Sequence, residues 1–292
     1  MTYPLRIGTR GSPLALAQSH MVAAALHATC GVETEIVPIT TTGDVIQDRP
    51  LAEVGGKALW TKELDRALIE GRTDLSVHSM KDVETIRPGR LVIAAMLKRA
   101  DTRDRLIGAD SLDALPTGAR IGTSSPRRTA QLLARRPDLA VGTIRGNVQT
   151  RLDKIARGEF DATLLAAAGL DRLGIAVGTP LEGFLSAPSQ GAIGIEVLAE
   201  NEPVRALIAA IDHTETHRCV AAERAFLAAL GGDCHSAVAA RAVLDGGAIR
   251  IEAEILSADG SEVRAGAGGE PAELAARLLA QASPTLRAMF SA

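Results

Sequence analysis

The chain contains 292 residues, which predicts two or three domains. Apolar residues make up 46% of it and charged residues 23%, a balance that is typical of folded globular proteins and excludes disordered and collagen-like chains. The formal net charge is −3 and aromatic residues are only 2%, which disfavours proteins that bind single-stranded nucleic acid by stacking bases.

The sequence shows no pattern of a membrane-spanning helix or of an N-terminal signal peptide. No apolar run approaches the roughly 18 residues of a membrane-spanning helix, and the N-terminus lacks the pattern of a signal peptide. We therefore expect a cytoplasmic protein. Its three cysteines, Cys30, Cys219 and Cys234, are expected to be reduced in that compartment.

The chain opens with a strand and a helix joined by a short corner. Residues 6–9 are predicted to form the strand, and the helix is predicted to run to about residue 29. Ser12 is a suitable N-cap, Pro13 suits the first helical position, and Gly31 is expected to end the helix.

The same pattern returns 113 to 114 residues later, where a strand at 120–123 leads through Ser125 and Pro126 into a helix. A second repeat, at 71–77 and again at 158–166, places a glycine stop before a buried strand. Strands that alternate with helices predict parallel sheets built from βαβ units. We therefore predict two similar α/β lobes, like those of periplasmic binding proteins, with a cleft between them.

The pattern changes after Gly191. We predict a strand at 193–197 that returns to the first lobe, a helix at about 216–230, and hairpin turns at 245–247 and 259–260 around a strand at 249–255. A final helix begins at about Pro271. The predicted domains are lobe 1 at 1–97 with 192–212, lobe 2 at 98–191, and a small C-terminal α+β domain at 213–292.

Arginines cluster where strands end and helices begin. The segment 98–157 holds 13 Lys/Arg against 6 Asp/Glu, a local excess of +7. Helix N-termini bind anions, and arginine holds carboxylates or phosphates with two hydrogen bonds, so these corners predict a site for a polyanion. The alternatives are solvated surface arginines and a codon bias toward arginine. The candidates are Arg10 at the first corner, Arg127 and Arg128 at the second, Arg145 with the helix cap Asn147 and Arg151 at the third, and Arg172 at the fourth.

Lys81 and Asp82 follow the predicted strand that ends near Ser79. Ligands of open α/β sheets bind at this end of the strands. An ionised Asp82 in such a place is suited to stabilising a cation or moving a proton. The alternative is a structural ion pair between Asp82 and Lys81 or an arginine.

Two loops are candidates for function. The long segment 44–58 predicts a lid or a disordered loop, with Lys57 and Trp60 at its exit, although a lone tryptophan also suits a core. Cys234 lies in the loop 231–235, where a cysteine is accessible for chemistry. A rival interpretation of this region is a zinc site, although its spacing matches no common motif. Its candidate ligands are His213, His217, Cys219, Cys234 and His235.

Several ordered motifs resemble the hydroxymethylbilane synthase (porphobilinogen deaminase) family. They cover essentially the whole chain. The matching segments are RIGTR at 6–10, VGGK at 54–57, DLSVHSMKDV at 74–83, IGTSSPRR at 121–128, IRGNVQTR at 144–151, AGLDRLG at 168–174, SQGAIGIE at 189–196 and ERA at 223–225.

The resemblance implies a transferase of heme and tetrapyrrole biosynthesis. It would join four porphobilinogens head to tail with loss of ammonia, and would release the linear tetrapyrrole hydroxymethylbilane by hydrolysis. A dipyrromethane cofactor is implied as a thioether on Cys234, and Asp82 falls on the catalytic position. The implied binding residues are Arg10, Ser12, Lys81, Thr123, Ser124, Ser125, Arg127, Arg128, Arg145, Asn147, Arg151, Arg172 and Gln190.

The residues agree with that chemistry. Each pyrrole carries an acetate and a propionate, so the growing chain is a polyanion. Arginine side chains suit it, because a guanidinium group can donate two hydrogen bonds to one carboxylate. Loss of ammonia leaves a cationic azafulvene that a carboxylate such as Asp82 can stabilise. The chain departs from the family pattern at Glu84, where a proline is usual, at Trp60, where a phenylalanine is common, and around Asp233.

Two other function classes compete with the enzyme. A two-lobe solute-binding or sensor protein explains the repeated corners, but it leaves Cys234 and the third domain without a role. A nucleic-acid binder explains the basic segment, but the chain lacks aromatic residues and a basic total charge. We expect a monomer with a small-molecule substrate, and no bound metal, nucleic acid or membrane.

Overall fold

The computed structural model describes residues 4–41, 60–233 and 236–290. The chain divides into two compact units, Met1–Ala100 with Gly191–His217 (unit 1) and Asp101–Gln190 with Arg218–Ala292 (unit 2). It therefore passes between the units near residues 100, 190 and 217. The separate third domain beginning at 213 stays a prediction. Within the described ranges, no helix is both long enough and apolar enough to cross a membrane.

The secondary structure follows in chain order. The described strands are β1 (Leu5–Arg10), β2 (Thr34–Ile39), β3 (Leu75–Ser79), β4 (Leu91–Met96), β5 (Asp104–Ile107), β6 (Arg120–Gly122), β7 (Ala140–Gly142), β8 (Ala162–Ala166), β9 (Thr179–Pro180), β10 (Ile193–Leu198), β11 (Val238–Asp245), β12 (Ala248–Leu256) and β13 (Val263–Gly268). The described helices are α1 (Pro13–Cys30), α2 (Lys62–Ile69), α3 (Pro126–Arg135), α4 (Val148–Ala156), α5 (Ala167–Arg172), α6 (Glu202–Ala209), α7 (Thr214–Ala229), α8 (Pro271–Gln281) and α9 (Pro284–Ala288).

Each unit contains a five-stranded sheet with the same plan. In unit 1 the strand order is β2-β1-β3-β10-β4, and in unit 2 it is β7-β6-β8-β5-β9. The first three strands of each sheet are parallel, and the fourth is antiparallel to both of its neighbours. The predicted duplication of an α/β pattern is therefore confirmed.

The predicted parallel pairing is wrong for one strand in each sheet, which is antiparallel to both of its neighbours. β5 and β10 are the first strands after the chain passes into their units, and they enter the sheet antiparallel to β8 and β3. The predicted return of 193–197 to the first sheet is confirmed, since Ile195 of β10 lies opposite Val77 of β3.

Local sequence signals begin and end the helices as predicted. Ser12 accepts a hydrogen bond from the N–H of Ala15, and Pro13 opens α1. Gly31 ends α1 in the left-handed region at φ 64°, where glycine carries no Cβ penalty. In unit 2, Ser125 caps α3 and Asn147 caps α4 in the same way.

The C-terminal part of unit 2 is a three-stranded antiparallel sheet, β11-β12-β13, with helices on it. The hairpin between β11 and β12 turns at Gly246 and Gly247, both at positive φ, as predicted. Phe226, Ile251 and Leu278 are fully buried in its apolar core. The predicted final helix begins at Pro271, and the helix predicted at 216–230 is observed at Thr214–Ala229.

Candidate active site

Unit 1 holds a pocket at the carboxyl ends of β1 and β3. These strands are parallel neighbours, so the corner after β1 and the turn after β3 meet at one edge of the sheet. The pocket brings together four of the predicted residues, Arg10, Ser12, Trp60 and Asp82. Its other lining residues are Leu14, Ala15, Gln18, Thr61, Val77, His78, Ser79 and Val83.

Asp82 ends a short 3-10 turn, Met80–Asp82, directly after β3. The turn is anchored by Met80, which is fully buried and whose N–H donates to the carbonyl of Ala192. A Cβ at Gly194 would collide with the Met80 sulfur, so this glycine is what lets the turn approach β10. Within the described ranges, the half-buried Asp82 carboxylate accepts no hydrogen bond and forms no ion pair. The structural ion pair considered above is therefore not observed among the described residues, and Asp82 lines the pocket.

Arg10 and Trp60 form the cationic side of the pocket. The guanidinium carbon of Arg10 lies 3.9 Å from the centroid of the Trp60 ring, within the range of a cation–π contact. The contact places the guanidinium group of Arg10 against one face of the ring. Lys81, next to Asp82, is half-buried.

Sequence reasoning missed four polar residues of this pocket. Gln18 and Ser79 are hydrogen-bonded to each other at 2.9 Å, and Thr61 and His78 complete the wall. Gln18 could have been found, because residues three and four apart share one face of a helix and Ala15 and Gln18 continue from Ser12. His78 lies within the matched segment 74–83, which could have singled it out, whereas no local signal marks Thr61.

Unit 2 collects its predicted residues at the corresponding edge of its own sheet. β6 is parallel to β7 and β8, so the corners that follow them lie side by side. The Ser124 hydroxyl donates to the carbonyl of Ile144 at 2.5 Å and joins the second corner to the third. Thr123 is buried and accepts from the N–H of Ser125, whereas Asn147 is exposed.

Three further arginines belong to this edge. Arg145 and Arg151 are half-buried, and the Nε–H of Arg151 donates to the carbonyl of Gly146 at 3.0 Å. Burial, partly offset by Asp171, lowers the pKa of Arg172 to about 10. The desolvated charge of Arg172 would gain from the approach of an anion.

Arg127 and Arg128 are buried on α3 and are bound to Asp104, a residue that sequence reasoning missed. Arg128 donates to both carboxylate oxygens, at 3.2 and 2.7 Å, and Arg127 donates to Oδ2 at 2.9 Å. The Nε–H of Arg127 is buried without a hydrogen-bond partner among the described residues. Gln190, predicted to bind ligand, is 1% exposed and donates from Nε2 to Asp104 Oδ1 at 2.9 Å.

Its two arginine neighbours keep the buried Asp104 carboxylate charged. Burial acts to raise the pKa of Asp104, but the guanidinium groups of Arg127 and Arg128 outweigh it and hold that pKa well below its usual range. Two cations therefore bind this one anion directly, and Glu254, hydrogen-bonded to Gln131, acts on Arg127 from a greater distance.

The remaining candidates are placed as follows. Lys57 and the rest of the predicted lid at 44–58 lie outside the described residues, as do Cys234 and His235. His217 Nδ1 lies 2.9 Å from Asp212, and His213 Nδ1 accepts from the N–H of Thr216. Where the structure describes the chain, no three His, Cys, Asp or Glu side chains are placed to share a metal ion.

Comparison with known proteins decides the family. Residues 5–206 match a family model described as porphobilinogen deaminase, dipyromethane cofactor binding domain, and residues 217–282 match the model of the C-terminal domain. The chain belongs to the porphobilinogen deaminase family. The resemblance stated from the sequence motifs is thereby confirmed.

Two curated porphobilinogen deaminases are similar over most of their length. The protein of Sphingopyxis alaskensis is 58% identical, with 99% of this chain and 97% of the relative covered. That of Paracoccus denitrificans is 49% identical, with 89% and 86% covered. Among solved structures, immunogenic lipoprotein A from Vibrio vulnificus matches at a TM-score of 0.45 and 14% identity, over 75% of this porphobilinogen deaminase family member and 99% of the lipoprotein.

Proposed function

We propose that this chain is a hydroxymethylbilane synthase, which condenses four porphobilinogen molecules head to tail and releases the linear tetrapyrrole by hydrolysis. The observation that carries the proposal is the pocket of unit 1. It holds an Asp82 carboxylate with no partner among the described residues, together with the Arg10 guanidinium group. This combination suits a substrate that is anionic at its side chains and becomes cationic at its reacting carbon.

Arg10 and Asp82 take opposite roles in this mechanism. The Arg10 guanidinium group binds a substrate carboxylate, because charge-assisted hydrogen bonds of this kind are the strong ones. The Asp82 carboxylate stabilises the cation that forms when ammonia leaves the porphobilinogen side chain. The same carboxylate holds and returns the proton that moves during deamination and coupling.

Unit 2 provides donors that fit an anionic cofactor. The buried Nε–H of Arg127 has no partner among the described residues, and burial has lowered the pKa of Arg172 to about 10. The capped N-termini of α3 and α4 add backbone N–H groups and positive helix ends. We propose that these groups, with Arg145 and Arg151, hold the carboxylates of dipyrromethane.

Cys234 is the proposed attachment point, through a thioether. The bound dipyrromethane supplies the terminal pyrrole carbon to which substrate units are joined. Lys57 and Trp60 are proposed to act at the entrance of the pocket. Ser12, Lys81, Thr123, Ser124, Ser125, Asn147 and Gln190 are proposed as further binding or supporting residues.

The first experiment is the intact mass of the purified protein, with peptide mapping around Cys234. We expect an excess of two linked pyrrole units on this cysteine and none on Cys30. A Cys234→Ala variant should lack the added mass, whereas Cys30→Ser should keep it. An unmodified protein whose mass does not change after incubation with porphobilinogen would instead favour the solute-binding alternative.

We further propose that the protein acts as a cytoplasmic monomer and that residues 213–292 form a third domain. Helices α7 to α9 and strands β11 and β12 support such a domain, because they share one cluster of buried apolar residues. Light scattering of the holoenzyme at working concentration tests the monomer. Limited proteolysis tests the domain, which should persist as a protected fragment.

A further inference from the structure

A buried guanidinium group lies behind the pocket of unit 1. The Arg87 side chain is 8% exposed and belongs to the loop between Asp82 and β4. Arg87 donates from Nε and Nη2 to the two carboxylate oxygens of Glu196, at 2.8 and 2.9 Å. It also donates from Nη2 to Asp65 at 2.5 Å and from Nη1 to Glu84. One cation thus joins β10, α2 and the segment that follows Asp82.

Two of these carboxylates, those of Glu84 and Glu196, also contact residues that line the pocket. The hydroxyl of Thr61 lies 2.8 and 3.0 Å from the two oxygens of Glu84. His78 Nε2 lies 3.2 Å from Glu196 Oε2, in a site where Glu196 is fully buried. Thr61 and His78 both line the pocket, together with Asp82. Arg87 itself does not line it.

The Glu84–Thr61 contact connects two functional segments. Glu84 lies two residues after Asp82, and Thr61 follows Trp60, whose ring packs on Arg10. The contact therefore joins the segment that carries Asp82 to the segment that carries Trp60. Long charged side chains hold such a spacing only when they are buried and multiply bonded, as Arg87 is here.

We propose that Arg87 is a positioning residue for the reaction, which acts through Glu84 on Thr61 and through Glu196 on His78 to hold Asp82 at a fixed distance from Arg10 and Trp60. The effect on turnover rests on the proposed function. The effect on the pocket wall does not, because it is a property of the folded protein alone.

Glu84 offers the sharpest test, because its side chain is 19% exposed and its replacement should leave the fold intact. Glu84→Ala removes the contact with Thr61, whereas Glu84→Gln keeps an oxygen that can accept from Thr61 and Arg87. In the holoenzyme, we expect Glu84→Ala to lower kcat about tenfold with a smaller change in KM, because a small misplacement acts on the chemical step. Glu84→Gln should stay near the wild-type kcat.

Trp60 provides a readout that needs no turnover. It is the single tryptophan of the chain, so intrinsic fluorescence reports on this wall directly. Acrylamide quenching should rise in Glu84→Ala and remain at the wild-type value in Glu84→Gln. The matched control is Glu200→Gln, which breaks the exposed ion pair with Arg90 and should change neither quenching nor kcat.

Arg87→Lys tests the guanidinium group itself, because lysine keeps the charge but replaces three donor nitrogens by one. It should show the same fall in kcat and the same rise in quenching as Glu84→Ala. If this variant does not fold, the comparison of Glu84→Ala with Glu84→Gln tests the proposal without it. Equal behaviour of Glu84→Ala and Glu84→Gln in both readouts would overturn the proposal. A wild-type protein that makes no tetrapyrrole would refute the proposed function instead, while the quenching comparison still tests the positioning contact.

Discussion

Replacing Asp104 by asparagine should remove the charge that holds two buried arginines of unit 2. The Asp104 side chain is 1% exposed and accepts hydrogen bonds from Arg127, Arg128 and Gln190 at 2.7 to 3.2 Å. Asparagine has the same shape but only one acceptor oxygen. The variant therefore removes the carboxylate to which two guanidinium groups, each at most 7% exposed, are directly bound. Glu254 remains near Arg127, behind Gln131, and offsets part of the loss.

The size of the effect follows from this burial. Removing one partner of a buried ion pair costs about 3–5 kcal/mol, because the other charge stays desolvated. We expect about 4 kcal/mol for Asp104→Asn, since the remaining oxygen still accepts one hydrogen bond. At roughly 2–4 °C per kcal/mol for a protein of this size, Tm should fall by about 12 °C.

Thermal unfolding followed by circular dichroism measures this change in the purified holoenzyme. Asp161→Asn is the matched control, because it breaks an ion pair with Arg120 that belongs to the same sheet but is exposed. The control should show no measurable shift in Tm. An Asp104→Asn protein that melts within about 2 °C of wild type would refute the argument that Asp104 compensates both arginines.

Three further outcomes are expected. Asp82→Asn should keep the wild-type Tm and the added cofactor mass but lower kcat by about 10²- to 10⁴-fold, as measured by steady-state turnover of porphobilinogen. Trp60→Leu removes the cation–π contact and should raise KM roughly two- to fivefold in the same assay. Burial acts to raise the pKa of Glu196, but hydrogen bonds from His78 and Arg87 lower it from 4.5 to about 2. Its stabilisation is therefore complete above the unfolded-state value and is lost as the pH falls toward 2; Glu196→Gln should flatten this part of the acid-unfolding curve.

The corners of both sheets could be predicted from the sequence because their signals are local. Ser12, Pro13 and Gly31 mark the ends of α1 within a few residues of chain, and Asn147 marks the start of α4. Asp82 could be proposed from its place after a buried strand. Its lack of a partner among the described residues could not, because that depends on every side chain packed around the turn.

The organisation behind the sites could not be read from the sequence, since it depends on contacts between distant residues. Asp104 is 23 and 24 positions from its two arginines, and Arg87 is 109 positions from Glu196. Arg127 and Arg128 were predicted as ligand-binding residues on residue type and position alone. In the structure both are mainly bound to protein acceptors, so a part in binding must come from their fixed charge and the buried Nε–H of Arg127.

The duplicated topology explains why these two carboxylates occur where they do. Glu196 and Asp104 each lie on the strand that enters its sheet antiparallel, directly after the chain passes into that unit. This strand has a neighbour on both sides in each sheet, and the carboxylate on it is buried and must be compensated. Arg87 compensates Glu196, and Arg127 with Arg128 compensates Asp104. In unit 1 the cation is outnumbered by acids and organises a pocket that carries an available carboxylate. In unit 2 two guanidinium groups bind the Asp104 carboxylate, and the half-buried Arg145 and Arg151 lie at the corners of the same sheet. The repeated plan therefore fits the two proposed sites, one for a reacting cation and one for carboxylates.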